Sequence, residues 1–127
     1  MQITETERLM LVKKKEEICG VTFEILKIAN DPQKEIEIKK DMTLILSLLS
    51  TIASYANPKN HDLDAIEDMV NIITSQLDFG NFTLAECMLE VFCHTVNSIR
   101  FDFNHKDGIK LRVTLPKNLN FGNIINQ

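Results

Sequence analysis

Between residues 83 and 115 the hydrophobic period changes from that of a helix to that of a strand, with no linker between the two. Thr83 and Glu86 stand three apart at the head of a run in which Leu84, Met88, Val91, Phe92, Thr95 and Ile99 share one side. That is the spacing of a capping box opening an amphipathic helix, with Phe82 as its staple. Ile99, Phe101 and Phe103 then alternate with polar residues, as do Ile109, Leu111, Val113 and Leu115. The alternation predicts strands over about 99–104 and 109–115, joined by a loop in which Gly108 supplies a positive φ. Pro116 closes the second strand. A lone hairpin is marginal in water, so its apolar side must lie on other elements. Upstream the chain reads as helix throughout, so the expected fold is α+β and mainly α. About four helices form an antiparallel bundle, followed by a C-terminal two-stranded antiparallel hairpin.

The first helix is predicted over about 5–29, opened by the Thr4/Glu7 capping box, with Leu11, Ile18, Val21, Ile25 and Ile28 on one face. Lys14 falls on that stripe, and Gly20 marks a place for a break or kink. Asp31 and Pro32 form a cap and first turn for a second helix over about 32–56, whose inner face is Ile38, Met42, Ile45, Leu49, Ile52 and Ala56. Residues 35–39 alternate as a short strand would, but the longer helical period is preferred. A third helix, about 62–78, follows Asp62 with Leu63, Ile66, Val70, Ile73 and Leu77, and Gly80 ends it. The fourth runs over about 84–98. The Asn-rich tail, 117–127, is read as flexible, with Leu119, Phe121, Ile124 and Ile125 available to dock. Without a repeat or a linker, residues 1–127 are expected to form a single domain.

A net charge of −4 argues against a general nucleic-acid binder, which needs excess Lys and Arg to displace counterions from phosphate. Three cysteines, Cys19, Cys87 and Cys93, are an odd count with no CxxC pair, which favours free thiols in a reducing compartment. Residues 1–7 carry two acids and no apolar block, so no signal peptide is expected. The longest uncharged stretch, 42–58, has 17 residues, short of the roughly 20 that a membrane span needs. A cytoplasmic protein without membrane association is the expectation.

Charge is unevenly placed. Residues 1–99 hold 9 basic and 16 acidic side chains, whereas residues 100–127 hold 5 and 2. Arg100, Lys110 and Arg112 share the polar face of the strands with Asp102 and Thr114, while Asp62, Asp64, Glu67 and Asp68 crowd the third helix without a compensating cation. Both sets fit solvated surface. The sharper reading is two patches of opposite sign that steer a charged protein partner or join two copies of the chain.

Other constellations point to no chemistry. Cys87, Cys93 and His94 lie close in sequence, but structural zinc wants four ligands, which here would have to include His61, His105 or Cys19. The two cysteines are read as small core residues and His94 as partly buried. In a helix His94 points about 100° away from Cys93, a poor arrangement for activating a thiolate. Glu86 and Glu90 at i,i+4 are ordinary for an exposed face, and Gly20, Gly80, Gly108 and Gly122 are too scattered to cradle phosphate. No catalytic, cofactor-binding or metal-binding residue is expected, and no cofactor.

The closing helix, strand, turn and strand, ending Leu111-Arg112-Val113-Thr114-Leu115-Pro116, resembles the last segment of histidine-kinase ATPase domains over about 35 residues. That family's Asn-bearing box and glycine-rich lid segments are absent upstream, so the resemblance implies a local topology and assigns a nucleotide site to no residue. It supports one alternative function, a phosphotransfer or nucleotide-binding regulator. The preferred expectation is a small acidic non-enzymatic regulator, inhibitor or adaptor that binds a protein partner or a second copy. Nucleic acid is disfavoured, since Phe101 and Phe103 alternate onto the apolar side of the hairpin and away from Arg100, Lys110 and Arg112.

Overall fold

The computed structural model describes residues 3–115. Four helices, α1 (Glu5–Ile28), α2 (Glu35–Ala53), α3 (His61–Asp78) and α4 (Phe82–Asn97), precede two strands, β1 (Arg100–Asp102) and β2 (Lys110–Arg112). The helices pack in a ring, α1 on α2, α2 on α3, α3 on α4 and α4 back on α1. One hydrophobic core draws on all four, and Ile99, Ile109, Leu111 and Val113 of the hairpin region are buried in it. The mainly helical α+β fold is therefore the one expected. The 117–127 tail, with its docking residues, lies outside the described residues.

Local sequence explains most of the boundaries. The Thr4/Glu7 box forms as predicted, with the Glu7 N–H donating to Thr4 Oγ1 at 3.1 Å and the Thr4 N–H to Glu7 Oε1 at 3.0 Å. The Thr4 N–H, and after it the Thr4 hydroxyl, hold the Glu7 carboxyl below its ordinary pKa. α1 then runs without interruption through Gly20, so no break occurs there. Lys14 escapes the apolar stripe by reaching Glu17, 3.8 Å away.

The second helix differs at both ends from its expected 32–56. Asp31 accepts from the Gln33 N–H at 3.0 Å, and the Lys34 N–H bonds to the Asp31 carbonyl. That winds Pro32–Lys34 into a tight 3₁₀ turn before α2 begins. At the far end the Tyr55 carbonyl and the Asn57 N–H leave the helical pattern and both bond to Ile109, each at 2.9 Å. Along its length Ile38, Met42, Ile45, Leu49 and Ile52 are buried as the period requires.

α3 starts one residue earlier than predicted. Its cap is Asn60, whose Oδ1 accepts from the Leu63 N–H at 3.1 Å, leaving Asp62 free for another role. Leu63, Ile66, Val70, Ile73 and Leu77 are all buried, in agreement with the sequence. The helix closes in a Schellman arrangement around Gly80 (φ +76°), with Gly80 N–H to Leu77 O and Asn81 N–H to Gln76 O. Asn81 Nδ2 also bonds to Gln76 Oε1 at 2.9 Å.

That closure overturns the expected start of the fourth helix. Asn81 serves as both the last residue of the α3 closure and the N-cap of α4, so the helix begins at Phe82. Thr83 is already inside the first turn, and the predicted capping box with Glu86 does not form. The buried face is Ala85, Met88, Leu89, Phe92, Thr95 and Val96, rotated from the predicted one so that Leu84 and Val91 fall at its margin.

Candidate functional site

The hairpin lies across the end of the bundle where α1 and α3 begin and α2 and α4 finish. Its antiparallel register pairs Arg100 with Arg112, Phe101 with Leu111 and Asp102 with Lys110. The strands are shorter than the expected 99–104 and 109–115 because the helices capture the ends of the second one. Ile109 makes an isolated parallel bridge to Ala56, using both of its main-chain groups. The Val113 N–H donates to Asp62 Oδ2 at 3.0 Å, and the Thr114 N–H donates to Ser98 Oγ at 2.8 Å. The Ser98 hydroxyl donates onward to the Thr95 carbonyl at 2.6 Å. On the other strand the Asn104 N–H turns back to Asp102 Oδ1 at 3.0 Å and opens the loop.

Gly108 sets the distance between the loop and the bundle. Its φ is +109°, as a turn glycine requires. A Cβ there would stand 2.9 Å from the Tyr55 carbonyl oxygen and 3.1 Å from Ala56 C and Asn57 N. The α2–α3 connection therefore lies flush against the hairpin backbone, which only glycine permits.

The outer edge of β2 is thus spoken for at both ends, by the α2–α3 connection and by Asp62. Ile109 directs its N–H and C=O away from β1, so by two-residue alternation Leu111 and its partner Phe101 form a non-hydrogen-bonded pair. The N–H and C=O of Phe101 consequently point along the outer edge of β1.

The side chains sort as the alternation predicted up to Val113, whereas Leu115, expected on the same inner face, is exposed beyond the end of β2. Leu111 and Val113 are buried, and Phe101 and Phe103 are half-buried with ring centroids 5.5 Å apart. The Arg8 guanidinium of α1 sits 5.3 Å from the Phe103 ring centroid. Arg100 and Arg112 are exposed and directly opposite each other. Like charges so placed cost roughly 0.2–1 kcal/mol. Arg100 reaches Thr114 Oγ1 at 3.4 Å. The five ion pairs among the described residues include neither arginine, nor Lys110.

The acidic candidates divide. Asp62 is half-buried and committed to β2. Asp64 and Asp68 are exposed beside Glu67, whose carboxyl is pushed up first by burial and then by those two neighbours. Asp64, Glu67 and Asp68 thus form one negative patch on α3, and Asp62 is a fastening between α3 and the hairpin.

Sequence reasoning missed a second feature beside Lys110. A cleft of about 730 Å³ opens between the α2–α3 connection and the hairpin loop, lined by Asn57, Lys59, His105, Lys106, Asp107 and Lys110 among others. No local pattern announces it, because its two walls lie about fifty residues apart in sequence. The signal was available only in Gly108, whose side-chain-free contact brings the walls together.

Cys87 and His94 are exposed and Cys93 is half-buried, so the expected core cysteine pair and partly buried histidine are not found. They sit on the outer side of α4 because the buried face turned toward Ala85, Leu89 and Val96. Cys19 is the more enclosed thiol. It points at the Val96 carbonyl, 3.5 Å away, and burial pushes its pKa up. Among the described residues no group of three or more His, Cys, Asp or Glu is placed to hold a metal ion, and no helix is long and apolar enough to cross a membrane. Comparison of the chain with protein-family models, curated proteins and solved structures gives no match.

Proposed function

We propose that this protein is a non-enzymatic regulator, inhibitor or adaptor that binds an acidic segment of a protein partner on the face and outer edge of its hairpin. The observation that carries this reading is the Arg100–Arg112 pair, two exposed arginines at opposite register positions that make no ion pair among the described residues. Such a pair weakens the free hairpin and is relieved when an anion is brought between the two strands. Arginine's planar fork suits carboxylates better than lysine's point charge does. Next to it, the Phe101 main-chain groups on the edge of β1 offer the hydrogen bonds of an added strand. A second copy of the chain, presenting Asp64, Glu67 and Asp68, is one form the partner can take.

Selection of random peptides on the immobilised protein tests this. Acidic, extended sequences should be enriched, and their binding should weaken between about 50 and 500 mM salt. The double variant R100E/R112E should abolish it. Enrichment of peptides without acidic residues, or binding indifferent to that variant, would refute the reading. Sedimentation of the free protein separates a homodimer from a foreign partner. Stabilisation by magnesium-ATP that pyrophosphate does not reproduce would favour a nucleotide-binding regulator instead.

A further inference from the structure

The cleft beside Lys110 goes beyond that reading, because apart from Lys110 its walls are built from residues the basic face does not use. Lys59 enters from the α2–α3 connection, His105 and Lys106 from the hairpin loop, and Lys110 from β2. Asp107 is the one carboxylate among the lining residues, and Lys106 has an interaction of its own besides. A concentration of positive charge in a protein of net charge −4 does not follow from composition. It arises from the meeting of two loops.

Both walls are fixed before anything binds. Asn57 Oδ1 accepts from the Lys59 N–H at 2.8 Å, which sets the turn carrying that lysine. Asp102 holds Asn104 at the start of the hairpin loop, and the two Ile109 bonds with the Gly108 contact lock the loop's end to residues 55–57. Preorganisation of this kind lowers the ordering cost of binding. His105 lines the cleft as a half-buried ring. Its Nδ1 is closed to solvent and makes no hydrogen bond, so the rest of the ring is what a ligand in the cleft meets.

We propose that this cleft binds a compact phosphate-class polyanion, a small molecule bearing a diphosphate, through Lys59, His105, Lys106 and Lys110. Three ammonium groups match a ligand carrying more than one negative charge, and lysine is a common partner of phosphate oxygens. The volume of about 730 Å³ falls in the usual range for small-molecule sites, roughly 300–1,000 Å³.

Inorganic pyrophosphate is the probe, followed by amide chemical shifts of the full chain. Shifts should saturate below about 10 mM and concentrate at residues 57–59 and 105–110. The variant K59Q/K106Q should weaken binding by about tenfold or more, while the charge-matched control K13Q/K15Q on α1 should leave it unchanged. Non-saturating shifts, shifts spread over the lysines of α1, or equal losses in both variants would overturn the proposal. Equal thermal melting of the two variants shows that a difference between them is not one of folding. R100E/R112E should retain pyrophosphate binding, so failure of the hairpin-face reading and failure of this one are separately visible.

Discussion

Replacing Gly108 by alanine tests the joint between the hairpin and the bundle. The new Cβ would lie 2.9 Å from the Tyr55 oxygen and 3.1 Å from two further main-chain atoms. None of these is the end of a flexible side chain, so backbone must move. Positive φ alone costs an L-residue about 1–2 kcal/mol. Separating the loop from residues 55–57 also strains the two Ile109 hydrogen bonds, each worth about 1 kcal/mol. The expected loss is therefore about 3 kcal/mol. At an m-value near 1.5 kcal/mol/M this lowers the urea midpoint by about 2 M. Two other glycines calibrate the result. Gly80 also has positive φ, but a Cβ there meets nothing within 4 Å, so G80A should cost only about 1 kcal/mol. Gly20 is exposed within α1 with open space around it, so G20A should stabilise by about 0.5–1 kcal/mol. Urea titrations followed by circular dichroism order the three. A G108A midpoint within about 0.5 M of that of G80A would show that the close approach carries no energy.

Asp62→Ala removes the acceptor of the Val113 N–H and should cost about 2 kcal/mol. Asp62→Asn, which keeps an acceptor, should recover much of that loss, and a cost no larger than that of Asp64→Ala would refute the fastening role. Glu67 has a raised pKa, so the favourable protonated form is complete below its ordinary value of 4.5 and is lost as pH rises through the folded-state pKa. Glu67→Gln should thus stabilise at neutral pH by about 0.5 kcal/mol, the scale of exposed like-charge pairs on a helix, and give no gain in acid; an equal gain at both pH values would contradict this. Thiol labelling should proceed in the order Cys87, Cys93, Cys19, following exposure and the raised pKa of Cys19. Mass spectrometry of partly labelled protein reads that order directly.

How far the sequence reached can be judged element by element. In α2 the three-four spacing of Ile38, Met42, Ile45, Leu49 and Ile52 carries the reading although Ile36 and Leu44 are exposed. α3 declares its inner face plainly because polar residues occupy most of its other side. α4 does not, since Leu84, Ala85, Leu89, Val91 and Val96 spread apolar surface around most of its circumference. There the packing of α4 against both α1 and α3 decides the rotation, and a period cannot. The false capping box at Thr83 and Glu86 has a similar cause. Two good local signals competed for residues 80–83, and the helix-ending bonds from Gly80 and Asn81 prevailed. The basic strand face was legible because alternation is local. The shortened strands, the role of Asp62 and the cleft were not, because each depends on a contact between the hairpin and a segment about fifty residues earlier.

The Ala56–Ile109 bridge also sets an order of assembly. Helices can coil and begin to pack through contacts close in sequence, but three residue pairs of ladder hold too little energy to persist alone. The carbonyl of Tyr55 and the amide of Asn57 become a landing place only after α2 has stopped and α3 has turned back beside it. The C-terminal ribbon is accordingly the last piece to set, and its formation reports that the helical body beneath it is already complete.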